Sequence, residues 1–86
     1  MPFLHIGDDV AVPMAAIVAI IDLEAAGGAL CTREFIELAR AERRLVEVTT
    51  GPPRAAVLTA EEVLLSPISA ATLAQRAGRR PRGSLE

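Results

Sequence analysis

The chain has 86 residues, of which 51% are hydrophobic, and a formal charge of −2; that is room for one small domain and excludes a two-domain enzyme with an interdomain cleft. At 9.1 kDa and a mean hydropathy of +0.37, it carries more apolar matter than a domain burying only about 60% of its unfolded surface can hide, so self-association is expected. Phe3 and Phe35 are the only aromatics, which removes a platform for stacking bases, and the single cysteine, Cys31, leaves no internal disulfide and suits a reducing cytoplasm.

Charge is unevenly spread. Residues 1–75 hold five Arg against ten acids, net −5, whereas residues 76–86 hold Arg76, Arg79, Arg80 and Arg82 against Glu86, net +3. The division predicts a single domain over 1–77 and an Arg/Pro-rich flexible tail over 78–86, whose Leu85-Glu86 end is compatible with a vector-derived scar. Such a tail reads either as a solvated terminus or as a contact for nucleic acid or acidic lipid. The N-terminus lacks a basic stretch, and Asp8-Asp9, Pro13 and Asp22 interrupt its apolar residues. The longest apolar run, Met14 to Ile21, falls far short of the ~20 residues a membrane span needs. A soluble, cytoplasmic protein without membrane association is expected.

Pro2 to Ile6, Gly7-Asp8-Asp9 and Val10-Ala11-Val12 read as strand, tight turn and strand, with glycine supplying positive φ and aspartate bonding its own backbone. Ala16 to Leu23 is nearly continuous in β-branched residues and predicts a strand buried on both faces. Glu24 to Leu30 reads as a loop broken at Gly27-Gly28. Thr32 is a candidate N-cap for an amphipathic helix over Arg33–Arg44, with Phe35, Leu38, Ala39 and Glu42 at helical spacing and arginines in its last turns. Leu45–Thr49, Arg54–Thr59 and Val63–Ser66 predict an antiparallel meander, punctuated by Gly51-Pro52-Pro53 and Ala60-Glu61-Glu62. Ser69 is placed to cap a short last helix from Ala70 to about Arg76. The expected fold class is α+β: a small antiparallel β-sheet with one central amphipathic helix and a short C-terminal helix.

Candidate chemistry is sparse. His5 is the only histidine and Cys31 the only thiol, and on a strand His5 shares the face of Phe3, opposite Leu4 and Ile6. Structural readings of both residues fit better than a nucleophile–base pair, and no catalytic site is assigned. Asp8-Asp9 are read as turn residues rather than metal ligands, because adjacent carboxylates on an extended chain diverge. The chain has no lysine, which removes a phosphate-binding loop of the G-x-x-x-x-G-K type. No enzyme activity, cofactor, metal or small-molecule substrate is expected. On the long helix, Arg33 is placed to pair with Glu37 at i,i+4 and to leave a self-neutralised face. Arg54 differs, since a rigid Gly-Pro-Pro loop holds it at a strand edge, where arginine suits bidentate phosphate contact.

Phe3-Leu4-His5-Ile6-Gly7-Asp8-Asp9, Ile17-Val18-Ala19-Ile20-Ile21-Asp22-Leu23, Leu65-Ser66-Pro67-Ile68-Ser69 and Thr72-Leu73-Ala74-Gln75-Arg76, with Arg33-Glu34-Phe35 and Gly51 between them, resemble the RemA/RemB family of small bacterial extracellular-matrix regulators. The likeness spans residues 3–77 and is greatest to the RemB branch. It implies a small α+β protomer that builds a ring-like homo-oligomer and, in the RemA branch, binds DNA to activate biofilm-matrix operons. RemA-type proteins carry a basic pair directly after the turn glycine and another arginine after the second strand; here Pro52, Pro53 and, approximately, Ala16 stand at those positions, leaving Arg54 as the neighbouring substitute.

The resulting expectation is a non-enzymatic, oligomeric DNA-binding regulator of extracellular-matrix genes, with Arg54, Arg76, Arg79 and Arg80 as DNA contacts and Ile17, Val18, Ile20 and Ile21 at the oligomer interface. The alternative is a structural or adaptor oligomer that binds a protein partner, such as a RemA-type relative, without touching DNA.

Overall fold

Phe3–Gly7 (β1) and Val10–Pro13 (β2) form an antiparallel two-stranded sheet in the computed structural model, which describes residues 2–26, 28–48 and 51–78. The turn between them is as expected, but glycine is not its only left-handed residue: Asp8 (φ 50°) and Asp9 (φ 64°) themselves take the positive angles of a primed hairpin turn. Gly7 (φ +120°) is needed for a second reason, because a Cβ there would lie 3.1 Å from two ring carbons of Pro67. Leu4 and Ile6 are buried, and Phe3 and His5 are exposed on the other face, the alternation expected of β1.

After a 3-10 turn over Met14–Ala16, the chain enters Ile17–Asp22 (β3), then the single helical turn Leu23–Ala26 (α1), and then Leu30–Ala41 (α2). Leu45–Glu47 (β4), Ala55–Thr59 (β5), Val63–Ser66 (β6) and Ala70–Arg76 (α3) follow. The second sheet has the order β3-β5-β6-β4. β5 pairs antiparallel with β3 and β6, but β4 runs parallel to β6, so the last three strands are not the expected meander. The α+β class holds, with the strands divided between two sheets rather than one.

Burial on both faces belongs to β5 and β6, not to β3. Along β5, Ala55 and Val57 enter one cluster with Leu4, Ile6, Val12, Val48, Leu64 and Leu73, while Ala56 enters the other with Ala39, Val63 and Leu65. The hairpin and α3 thus cover one face of the four-stranded sheet, and α2 covers the other. β3 lies at the sheet's margin, and its Val18 is 67% exposed. A register shift between Ile17 and Ala19 explains its uninterrupted apolar run: Ile17 and Ile20, of opposite parity, both pack against the first cluster, while Ile21 packs against the second.

α2 starts and ends three residues earlier than the sequence pattern predicts. Its N-cap is Ala29, with no side-chain cap, and Thr32 lies within the first turn. Its end is a Schellman motif, in which Arg43 donates to the Arg40 carbonyl (3.1 Å) and Arg44 to the Ala39 carbonyl (2.9 Å), with Arg43 itself at φ 61°. α3 matches its expected bounds, and Ser69 caps it by accepting from the Thr72 amide at 3.2 Å. Among the described residues no helix is long and apolar enough to cross a membrane.

Ser66 is the one buried polar residue among the described residues. Its hydroxyl donates to the Ile6 carbonyl (2.7 Å) and accepts from the Ile68 amide (3.0 Å). Ser66→Ala strands both groups and is expected to cost about 1–3 kcal/mol in urea denaturation. Arg43→Gly relieves a left-handed non-glycine residue and is expected to raise stability by about 1 kcal/mol in the same measurement.

Candidate nucleic-acid interface

The β3–β5 ladder pairs Asp22 with Ala55, and the next rung outward is a Leu23 amide donating to the Arg54 carbonyl at 3.0 Å. On its other side, the Arg54 amide donates to the Ser66 carbonyl at 2.8 Å. Arg54 therefore sits at the end of a central strand, between two bonded neighbours, and not at the sheet margin. Its main chain is fixed from both sides.

Its side chain meets α1. Asp22 Oδ1 accepts from the amides of Glu24 (2.9 Å) and Ala25 (3.2 Å), which caps the helical turn in what the sequence suggests is a loop. The turn carries Glu24 to Arg54, whose Nε donates to Glu24 Oε2 at 3.0 Å and whose Nη2 donates to Glu24 Oε1 at 3.3 Å. Both carboxylate oxygens are engaged by one edge of the guanidinium, and both side chains are about half exposed, at 52% and 51%. Sequence reasoning singled out Arg54 and missed Glu24, thirty residues away; only the β3–β5 register brings them together.

Arg76 lies in the last turn of α3, and its Nη1 donates to the His5 carbonyl at 3.3 Å, fastening the helix end to β1. Arg79 and Arg80 lie outside the described residues. Of the two arginines of α2, Arg40 is neutralised and Arg33 is not, which departs from the expected pattern. Glu37 contacts Arg40 (3.6 Å) rather than Arg33, and Arg40 also bonds Glu47 at 2.8 Å, which raises its pKa above the ordinary arginine value. Arg44 Nε lies 3.1 Å from Glu42 but out of hydrogen-bonding alignment, so that contact is electrostatic only. Arg33 and Arg43 make no ion pair with any described residue. His5 and Cys31 are both exposed, and no hydrogen bond joins their side chains.

The family model for RemA-like proteins, described as extracellular matrix regulatory protein A-like, matches residues 3–77. The chain belongs to the RemA/RemB family. Extracellular matrix regulatory protein B of Bacillus subtilis (strain 168) is 32% identical over 75 residues, covering 87% of this chain and 89% of the relative, which places the chain on the RemB-like side. For a RemB-like protein, the stretch from β1 to α3 is thus one family unit, and the Ser66 bond to Ile6, the Ser69 cap and the Arg54 rung all lie inside it.

Because the Arg54–Glu24 pair is half exposed, Arg54→Ala is expected to lower stability by no more than about 1 kcal/mol in thermal unfolding followed by circular dichroism. That variant is therefore expected to stay folded and to suit binding measurements.

Proposed function

We propose that this RemB-like protein is an oligomeric, non-enzymatic regulator of extracellular-matrix genes that acts in the cytoplasm by binding DNA, with Arg54 as its central phosphate contact. The observation that carries the reading is the setting of Arg54: a main chain bonded on both sides and a half-exposed guanidinium already holding an oxyanion through Nε and Nη2. The same planar edge fits a phosphate. Arg76, at the end of α3, and Arg79 and Arg80 beyond it add positive charge to a chain whose first 75 residues are net negative.

Oligomerisation supplies the multiplicity that one arginine lacks. Phe3, Val18, Leu30 and Leu38 are each more than half exposed, an apolar excess that closed homo-oligomers commonly cover. Within the proposed β3 interface, Val18 offers the side chain, while Ile17, Ile20 and Ile21 shape the strand from inside the protomer. Repetition of Arg54 around a ring would give several weak phosphate contacts at once, with specificity from spacing and DNA shape.

The adaptor reading, in which a RemA-type protein is the partner, draws on the Arg54–Glu24 pair and on Pro52 and Pro53 beside it. Fluorescence anisotropy of labelled duplex DNA, titrated at about 50 and 200 mM salt, separates the two. An oligomer neutralising about six phosphates is expected to lose on the order of 10³ in affinity between those concentrations. Arg54→Ala is expected to weaken binding at least about tenfold, with oligomer mass unchanged in light scattering. Absence of binding at the lower salt would end the DNA reading in favour of the protein partner.

A further inference from the structure

We infer that Glu24 is an internal competitor for the nucleic-acid phosphate at Arg54, so that a phosphate takes the Nε–Nη2 edge only by displacing the protomer's own carboxylate; this rests on the DNA-binding reading above. Glu24 uses both of its oxygens on the Nε–Nη2 edge of Arg54, at 3.0 and 3.3 Å. A phosphate can use the paired donors of that edge only by displacing the carboxylate, and one that approaches the Nη1–Nη2 edge instead meets a guanidinium already neutralised by Glu24.

The competitor is built in rather than incidental. Asp22 caps the turn that presents Glu24, through bonds to the Glu24 and Ala25 amides, and the Leu23 amide bonds the Arg54 carbonyl. The main-chain bond from Leu23, next to Glu24, to Arg54 therefore holds acid and arginine side by side, and the local concentration of carboxylate at the guanidinium is high. The pair is nonetheless half exposed, so exchange is inexpensive at each site and the inhibition per protomer is modest. In an assembly that engages several copies of Arg54, these modest factors multiply. The exchange also retains selectivity: an isolated phosphate gains little by displacing Glu24, while a polyanion spaced to meet several protomers gains at each. Glu24 is a positioning residue here, acting through Arg54.

The test is a double-mutant cycle on the full chain, with labelled mixed-sequence duplex DNA as the probe and anisotropy as the readout, using wild type, Glu24→Gln, Arg54→Ala and the double variant. Glutamine keeps the size of the side chain and removes its charge. Glu24→Gln is expected to tighten binding up to about fivefold per engaged site, the upper range for an exposed ion pair, and that gain is expected to vanish in the Arg54→Ala background. Circular dichroism melts establish that each variant is folded. An equal gain with and without Arg54 would reduce Glu24 to a general repulsive charge and overturn the inference while leaving DNA binding intact. Wild-type binding that is indifferent to Arg54→Ala would do the same. Failure of all four proteins to bind at about 50 mM salt, within the range where counterion release is strong, overturns the inference together with the functional reading beneath it. Binding by Glu24→Gln alone would support both.

Discussion

The fold depends on one buried hydroxyl. Ser66 is fully buried at the end of β6, and its side chain joins the Ile6 carbonyl of β1 to the Ile68 amide that leads into α3. Its own carbonyl receives the Arg54 amide. One residue thus fixes the hairpin to the four-stranded sheet, sets the departure of the chain towards its last helix, and closes the rung that starts β5. A methyl group would fill nearly the same space but leave a donor and an acceptor unpaired in an apolar cluster, where such groups are costly. Gly7 follows from the same contact, since a Cβ would lie only 3.1 Å from the Pro67 ring on a backbone at φ +120° that side chains rarely adopt.

The arginines inherit their positions from that frame. Arg54 is bonded through its main chain to Ser66 on one side and to Leu23 on the other, and Arg76 is clipped to the His5 carbonyl, next to the residue that Ser66 holds. A hydrogen-bonded path therefore runs from Arg54 through Ser66 and β1 to Arg76. Precise placement of a flexible, charged side chain usually needs support of this kind, because an unsupported arginine gives up much of its rotamer freedom when it binds. The core supplies the support, and the surface residues supply the charge.

What the sequence made legible was local. Ser69 and the seven residues after it read correctly because a cap and its helix are set by neighbours. The β1–β2 turn was legible for the same reason, although two aspartates share the left-handed angles that glycine alone suggested. α2 was recognisable from its periodicity, but its ends were not, because Ala29 gives no capping signal and an arginine occupies the left-handed position where glycine is usual. The parallel pairing of β4 with β6 and the meeting of Glu24 with Arg54 depend on sheet register across long separations, which no window of residues encodes. β3 was misread as doubly buried because a bulge puts isoleucines of both parities on one face, a pattern that alternation cannot express.

The two margins of the four-stranded sheet are guarded differently, which bears on how the proposed assembly would form. β4 is only three residues long, and Glu47 at its end bonds Arg40 from α2, so that margin is short and charged. β3 is twice as long, and no described strand pairs with its outer side. Natural sheets protect such a margin with charge, brevity or a bulge, and β3 uses the bulge: the ladder is interrupted at Val18, the most exposed of the large apolar residues described. The interruption disfavours indiscriminate extension of the sheet by any passing strand while leaving an apolar side chain outward. In the proposed assembly, contact between protomers at β3 would therefore be better served by side-chain packing on Val18 than by a continuous hydrogen-bonded ladder.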